Sequence, residues 1–265
     1  MKIGYVGAKI TSSLIPGGIM SSISKMHYAK LVGRLALFIA AIMLYIVNPA
    51  QIAIPTFAEG LKMPVLMGII WIVFAVEMML RFFPSKFESM GCQKQFARNF
   101  MPTNVSKIKL DTKKGTLIVA VEWFILNAII GGLYFGGIID EGILLIISLF
   151  YSVCDMICIL FFCPFQTWNM KNKCCTTCRI YNWDFAMMFT PFLFIPDFYT
   201  WSLLFIAVAL LITWEVFVRR HPERFSEKTN GAIRCADCKE KLCHHKKQLR
   251  HFHKTHKGIL TAWKE

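Results

Sequence analysis

Acidic side chains are scarce in this sequence. There are 16 Asp and Glu against 30 Lys and Arg in 265 residues, a formal charge of +14. Residues 1–34 contain no acid at all. No GxxxxGK[ST] phosphate loop and no GxSxG nucleophile elbow occurs, so ATP-driven transport by this chain alone and serine hydrolysis of that type have no support. No histidine falls inside a long apolar run, which argues against a haem held between two histidines across a helical bundle. No clean apolar core precedes a small-residue cleavage site, so no cleavable signal is expected.

What is plentiful is apolar surface. Hydrophobic residues make up 55% of the chain, and the mean hydropathy is +0.49. The excess is gathered into runs near the ~20 residues that cross a bilayer at a rise of ~1.5 Å per residue. The sequence therefore predicts an all-α integral membrane protein of about six transmembrane helices. The expected spans are residues 35–54, 64–83, 115–139, 142–162, 180–195 and 198–218. Asn48-Pro49 frays the far end of the first, and Pro196-Asp197 separates the last two. Pro191 within the fifth is tolerated if neighbouring helices cover the freed carbonyl.

Three polar segments flank these spans. Residues 1–34 form a basic N-terminal segment, in which Ile19, Ile23, Met26 and Lys30 suit a short surface-lying amphipathic helix; a disordered basic lead-in is the alternative. Residues 84–114 are basic and expected to lie along lipid headgroups. Residues 219–265 form a basic, Cys/His-rich tail. With the N-terminus inside, Lys62 is the lone Lys or Arg left on the outer side, accompanied by Glu59, Asp140, Glu141 and Asp197. The positive-inside rule then places both termini and a small Cys/His-rich cap in the cytosol, in a plasma or inner membrane. Anionic headgroups are the expected partners of the basic segments, and other membrane subunits stay open. Sequence-specific nucleic-acid binding is not expected, because a lone module gives little affinity.

Within the spans, Gly132 and Gly136 make a GxxxG pair flanked by Gly131 and Gly137. This pattern allows close helix approach, or else marks a flexible helix end. Ser148, Ser152 and Asp155 form a polar stripe on an otherwise apolar helix.

Ten cysteines fall mostly in two groups. Cys163, Cys174, Cys175 and Cys178 sit in one short loop; Cys235, Cys238 and Cys243, with His244, sit in the tail. On the cytosolic side thiols stay reduced, so metal ligation is expected over disulfides. Two C-x2-C pairs, Cys175/Cys178 and Cys235/Cys238, would complete a tetrahedral zinc site clipping tail to loop. Alternatively, Cys235-x2-Cys238-x12-His251-x4-His256 resembles the spacing of a C2H2 zinc finger, although Gln248 replaces its second apolar anchor. A third partition joins the tail cysteines to a neighbouring histidine. An iron–sulfur cluster is the redox alternative, since Cys158-x4-Cys163-Pro164 is similar to the Cys-x3-Cys-Pro element of membrane ferredoxin-like subunits, with one residue too many. Cys154 and Cys158 read as small buried apolar residues.

Four intramembrane carboxylates complete the candidates, because charge at membrane depth is costly. Glu77 and Glu215 have partners at i+4 in Arg81 and Arg219. Glu122 and Asp155 have none one turn away, and lie at similar depth on consecutive helices. They could share a proton or hold a cation, or simply hydrogen bond to Asn127, Ser152 or Trp123. The expected function is a multi-pass membrane protein with a cytosolic cysteine-ligated metal centre, zinc or iron–sulfur. The alternative is a proton- or cation-coupled transporter using Glu122 and Asp155. Whether the chain is an enzyme is left open.

Overall fold

The computed structural model describes residues 22–49, 65–84, 90–105, 113–172 and 174–234. Among these residues the α-helices are α1 (Ser22–Val47), α2 (Val65–Leu80), α3 (Met90–Gln93), α4 (Lys113–Phe135), α5 (Glu141–Leu160), α6 (Asp184–Met188) and α7 (Phe198–Arg220). No strand occurs among the described residues. Among the described residues, four helices are long and apolar enough to cross a membrane: α1, α4, α5 and α7. The helix α2 has 16 residues, about 24 Å by helical rise, and is short of the ~30 Å hydrocarbon core.

Local chemistry sets several boundaries. Asp140 caps α5 by accepting from Ile143 N at 2.9 Å, and Asp197 caps α7 by accepting from Tyr199 N at 2.9 Å. Both are extended-backbone carboxylates at the position that satisfies an orphan N–H. The segment expected as a fifth helix, 180–195, is instead discontinuous. A 3-10 turn (Tyr181–Trp183), α6 and a second 3-10 turn (Thr190–Phe194) follow one another. Pro191 has no N–H to continue the α-helical ladder. The break sits inside protein, where irregular backbone is tolerated at membrane depth: Phe185, Met188, Phe189 and Phe192 are all buried. Phe185, Phe189 and Phe192 stack in sequence, with centroids 6.3 and 5.3 Å apart.

Contacts fix the helix directions. Arg34 and Phe38 of α1 meet Ser152 and Phe150 of α5, while Tyr45 Oη donates to Asp140 at 2.7 Å, so α1 and α5 are antiparallel. Trp71 Nε1 donates to Ser202 Oγ at 2.7 Å, setting the start of α2 beside the start of α7. Trp123 packs on Tyr151 at 4.7 Å, and a Cβ at Gly131 would meet Phe194 at 2.5 Å. Thus α1 and α4 begin at one end of the bundle, here the basal end, and α2, α5 and α7 finish there. Exposed apolar side chains cover α4 and α7, among them Leu117, Phe124, Ile129, Phe205 and Ile212. Such a coat suits lipid contact.

Four expectations are corrected. The first span begins at Ser22, not near Leu35, so Arg34 is a buried residue within a helix and not the end of a basic lead-in. His27 lies in that helix too, 1% exposed. A hydropathy boundary drawn at the last cation fails when the cation is paired inside. The close approach on α4 occurs at Gly131; a Cβ at Gly132 would meet nothing within 4 Å. Residues 90–103 trail only in part along a surface, with Arg98 and Met101 exposed. Cys92, Gln93 and Gln95 are buried against the basal end, with Phe96 on Trp214 at 5.2 Å. Finally, the chain stays packed past α7: Phe225 meets Trp214, and Asn230, fully buried, ties this return to residues 90–103. Its Nδ2 donates to Lys94 O at 3.0 Å and Arg224 O at 2.9 Å, while its Oδ1 accepts from Ala232 N at 3.0 Å.

Candidate functional site

Two constellations meet at the basal third of the bundle, on adjacent faces of α5, and Asp155 and Asp184 belong to both. The first is a buried charge cluster. Arg34 donates to Glu77 Oε2 of α2 at 2.8 Å, to Asp155 Oδ2 of α5 at 2.9 Å and to Ser152 O at 3.0 Å. Lys30 lies 3.4 Å from the other Glu77 oxygen. Arg81 donates to Asp184 Oδ1 of α6 at 2.8 Å and rests on the Phe185 ring, 4.5 Å from its centroid. Three cations therefore face three carboxylates. The pairing joins α1, α2, α5 and α6, and it replaces the expected Glu77–Arg81 pair within α2. A helical i, i+4 pair contributes only ~0.2–0.5 kcal/mol in water. Stripping one partner from a buried pair costs ~3–5 kcal/mol, so the inter-helix arrangement dominates at depth. Glu215 likewise takes Arg179 in a two-pronged pair, with Trp183 Nε1 donating at 2.7 Å, rather than relying on Arg219.

Glu122 and Asp155 do not form a shared site. Asp155 is held by Arg34. Glu122 is exposed and accepts from Asn169 Nδ2 at 2.6 Å. Asn127, expected as a partner, donates to the Trp123 carbonyl at 2.9 Å. The polar stripe of Ser148, Ser152 and Asp155 faces α1, where Ser152 and Asp155 receive Arg34.

The second constellation is a thiol wall. A cavity of about 140 Å³ lies between α4, α5, the loop that follows α5, and the broken segment. Cys154, Cys158, Cys163, Cys175 and Cys178 line it, together with Asp155, Asp184, Met187 and Met188. Aromatic rings of Trp123, Tyr151, Phe165 and Tyr181 complete the wall. Cys154 and Cys158, one turn apart on α5, were expected as packing residues and prove to share this wall with the loop thiols. Their i, i+4 spacing, continued by Cys163, is the signal that places them on one side.

Gln166 organises two of the sulfurs. It sits in a π-helical turn, Phe165–Asn169, a conformation that often marks functional sites. Gln166 N donates to Cys163 Sγ at 3.4 Å, and Gln166 Oε1 accepts from Cys175 Sγ at 3.3 Å. Cys175 Sγ also lies 3.9 Å from Cys158 O. The Cys175–Cys178 turn is closed by Cys178 N donating to Cys175 O at 2.9 Å. Cys174 does not line the cavity. Among the described residues no group of three or more His, Cys, Asp or Glu is gathered tightly enough to hold a metal ion. Cys235, Cys238, Cys243, His244, His251 and His256 lie outside the described residues.

Tyr151 Oη is buried and meets no hydrogen-bond partner among the described residues. An unsatisfied buried hydroxyl costs ~1–3 kcal/mol, which a bound acceptor would relieve. Comparison with protein families, with curated proteins and with solved structures finds no match for this chain.

Proposed function

We propose that the chain is a six-crossing protein of a plasma or inner membrane, with its basal end in the cytosol and a cysteine-ligated metal centre at that end. The observation that carries this reading is the sharing of one wall by Cys163, Cys175 and Cys178. A C-x2-C turn supplies two thiolates, half of a tetrahedral zinc site. The described residues hold no complete donor set, which fits a centre completed by the tail pair Cys235 and Cys238. Gln95 supports the same reading: its Nε2 donates to Thr176 O at 2.7 Å, beside Cys175. The neighbouring Lys94 carbonyl accepts from Asn230, close to the start of the tail. The sidedness rests on exposed cations, Lys25, Arg98, Lys114, Lys171, Arg219, Arg220 and Lys228, at the basal end. These cations also suit anionic headgroups.

Metal analysis of the detergent-purified full chain tests the centre. About one zinc per chain is expected, lost in Cys178→Ser and in Cys238→Ser and kept in Cys92→Ser. A brown sample with visible absorbance would assign iron–sulfur instead. Wild-type protein that binds no metal would sink the reading.

One observation favours transport as a second reading. A discontinuous segment beside buried carboxylates is where transporters place ion sites, and Asp155 and Asp184 line the same cavity. In proteoliposomes loaded with a pH-sensitive dye, Asp155→Asn should abolish proton uptake and Glu122→Gln should leave it intact. Equal flux in wild type and Asp155→Asn would end this reading.

A further inference from the structure

The cavity is far larger than a metal ion. At about 140 Å³ it matches the ~150 Å³ engineered apolar cavity that takes up benzene. Its wall is flat and polarizable. Trp123 lies 4.7 Å from Tyr151 and 6.4 Å from Phe165, and thiols and the two methionines supply sulfur, which packs well against ring edges. The carboxylates on the wall carry no uncompensated charge, because Asp155 is paired with Arg34 and Asp184 with Arg81. Such a pocket favours a neutral molecule over an ion. Its lining also includes the buried Tyr151 hydroxyl, which meets no hydrogen-bond partner among the described residues.

We propose that this cavity binds a neutral molecule with a single six-membered ring and an oxygen acceptor, the ring lying among Trp123, Tyr151 and Phe165 and the oxygen accepting from Tyr151 Oη. The ring is either a free small molecule or the head of a bilayer lipid. The site adjoins the proposed metal centre, because Cys163, Cys175 and Cys178 line the same cavity; the two are distinguishable because neither Tyr151 nor Cys154 is among the proposed ligands.

The test uses the full chain in lipid nanodiscs and two isosteric probes, 4-fluoroanisole and 1-ethyl-4-fluorobenzene, followed by ¹⁹F NMR. Only the first has an acceptor oxygen. Both should bind saturably to wild type, beyond their partition into lipid. Tyr151→Phe should weaken 4-fluoroanisole about fivefold, the value of one hydrogen bond, and leave the ethyl probe unchanged. Cys154→Trp should abolish both by filling the cavity. Ile159→Phe, a smaller intrusion, gives the same answer if the tryptophan variant fails to fold. Displacement of 4-fluoroanisole by a ring with an isoprenoid tail would identify a lipid source; displacement by tailless rings alone would identify a soluble one. Identical signals in wild type and the filled variants, or equal loss of both probes in Tyr151→Phe, would overturn the proposal.

Discussion

The two faces of α5 are built on opposite plans. One face, Ser152 and Asp155, is locked to α1 through Arg34, and that guanidinium is itself shared with α2. The other, Tyr151, Cys154 and Cys158, looks across a cavity toward α4 and is held by ring contacts and weak sulfur hydrogen bonds. On the first face every charge has an opposite partner within about a hydrogen bond's reach. On the second, packing is loose and polarizable groups predominate. The contrast separates two uses of polar residues within a helical bundle: fixing helix positions, and lining a cavity.

Breaking the locked face should have the largest effect. Arg34→Leu leaves Glu77 and Asp155 facing each other without their shared cation, and should cost about 3–5 kcal/mol in denaturant unfolding of the detergent-solubilised protein. Replacing Arg34, Glu77 and Asp155 together by leucine should recover most of that loss. If the single variant were as stable as wild type, the lock would not exist. On the loose side, Gly131→Leu should cost about 1–3 kcal/mol by driving a side chain into Phe194. Gly132→Leu, which faces open space, should be near neutral, and equal costs would refute the assigned contact face. Cys158→Ala on the thiol wall should lose about 1 kcal/mol or less, because the surrounding space already lacks close packing. Smallest of all, Glu122→Gln should move stability by less than ~0.5 kcal/mol, as expected of an exposed side chain.

Much of this was readable from residue order. Runs of apolar residues fall on α4, α5 and α7 within a few residues but misplace the start of α1, and the Pro196-Asp197 turn marks the start of α7. Asp155 stood out as a buried acid, and the Cys175–Cys178 pair as a thiol turn. Other features required partners distant in sequence. Arg34 looked like a boundary residue because its two carboxylates lie 43 and 121 positions away. Glu77 and Glu215 had plausible cations one turn along, and local spacing says nothing about stronger partners on other helices. Cys154 and Cys158 looked like filler because a thiol packs as a small apolar group. Only the fold of the following loop shows which thiols they share a wall with. Pro191 reads as tolerable within a continuous 180–195 helix, and hydropathy alone does not distinguish a broken segment from a continuous one.

The separation in sequence of the ion-pair partners has a consequence for how the protein is made. Translation delivers Arg34 with Glu77, whereas Asp155, its other carboxylate, emerges much later. Until then the guanidinium holds half of its final pairing, and charge at membrane depth is costly when it is not fully compensated. The stable packing of α1 against α2 is therefore expected to await the second half of the chain, and a product truncated before Asp155 is expected to be less stable in detergent than the full chain.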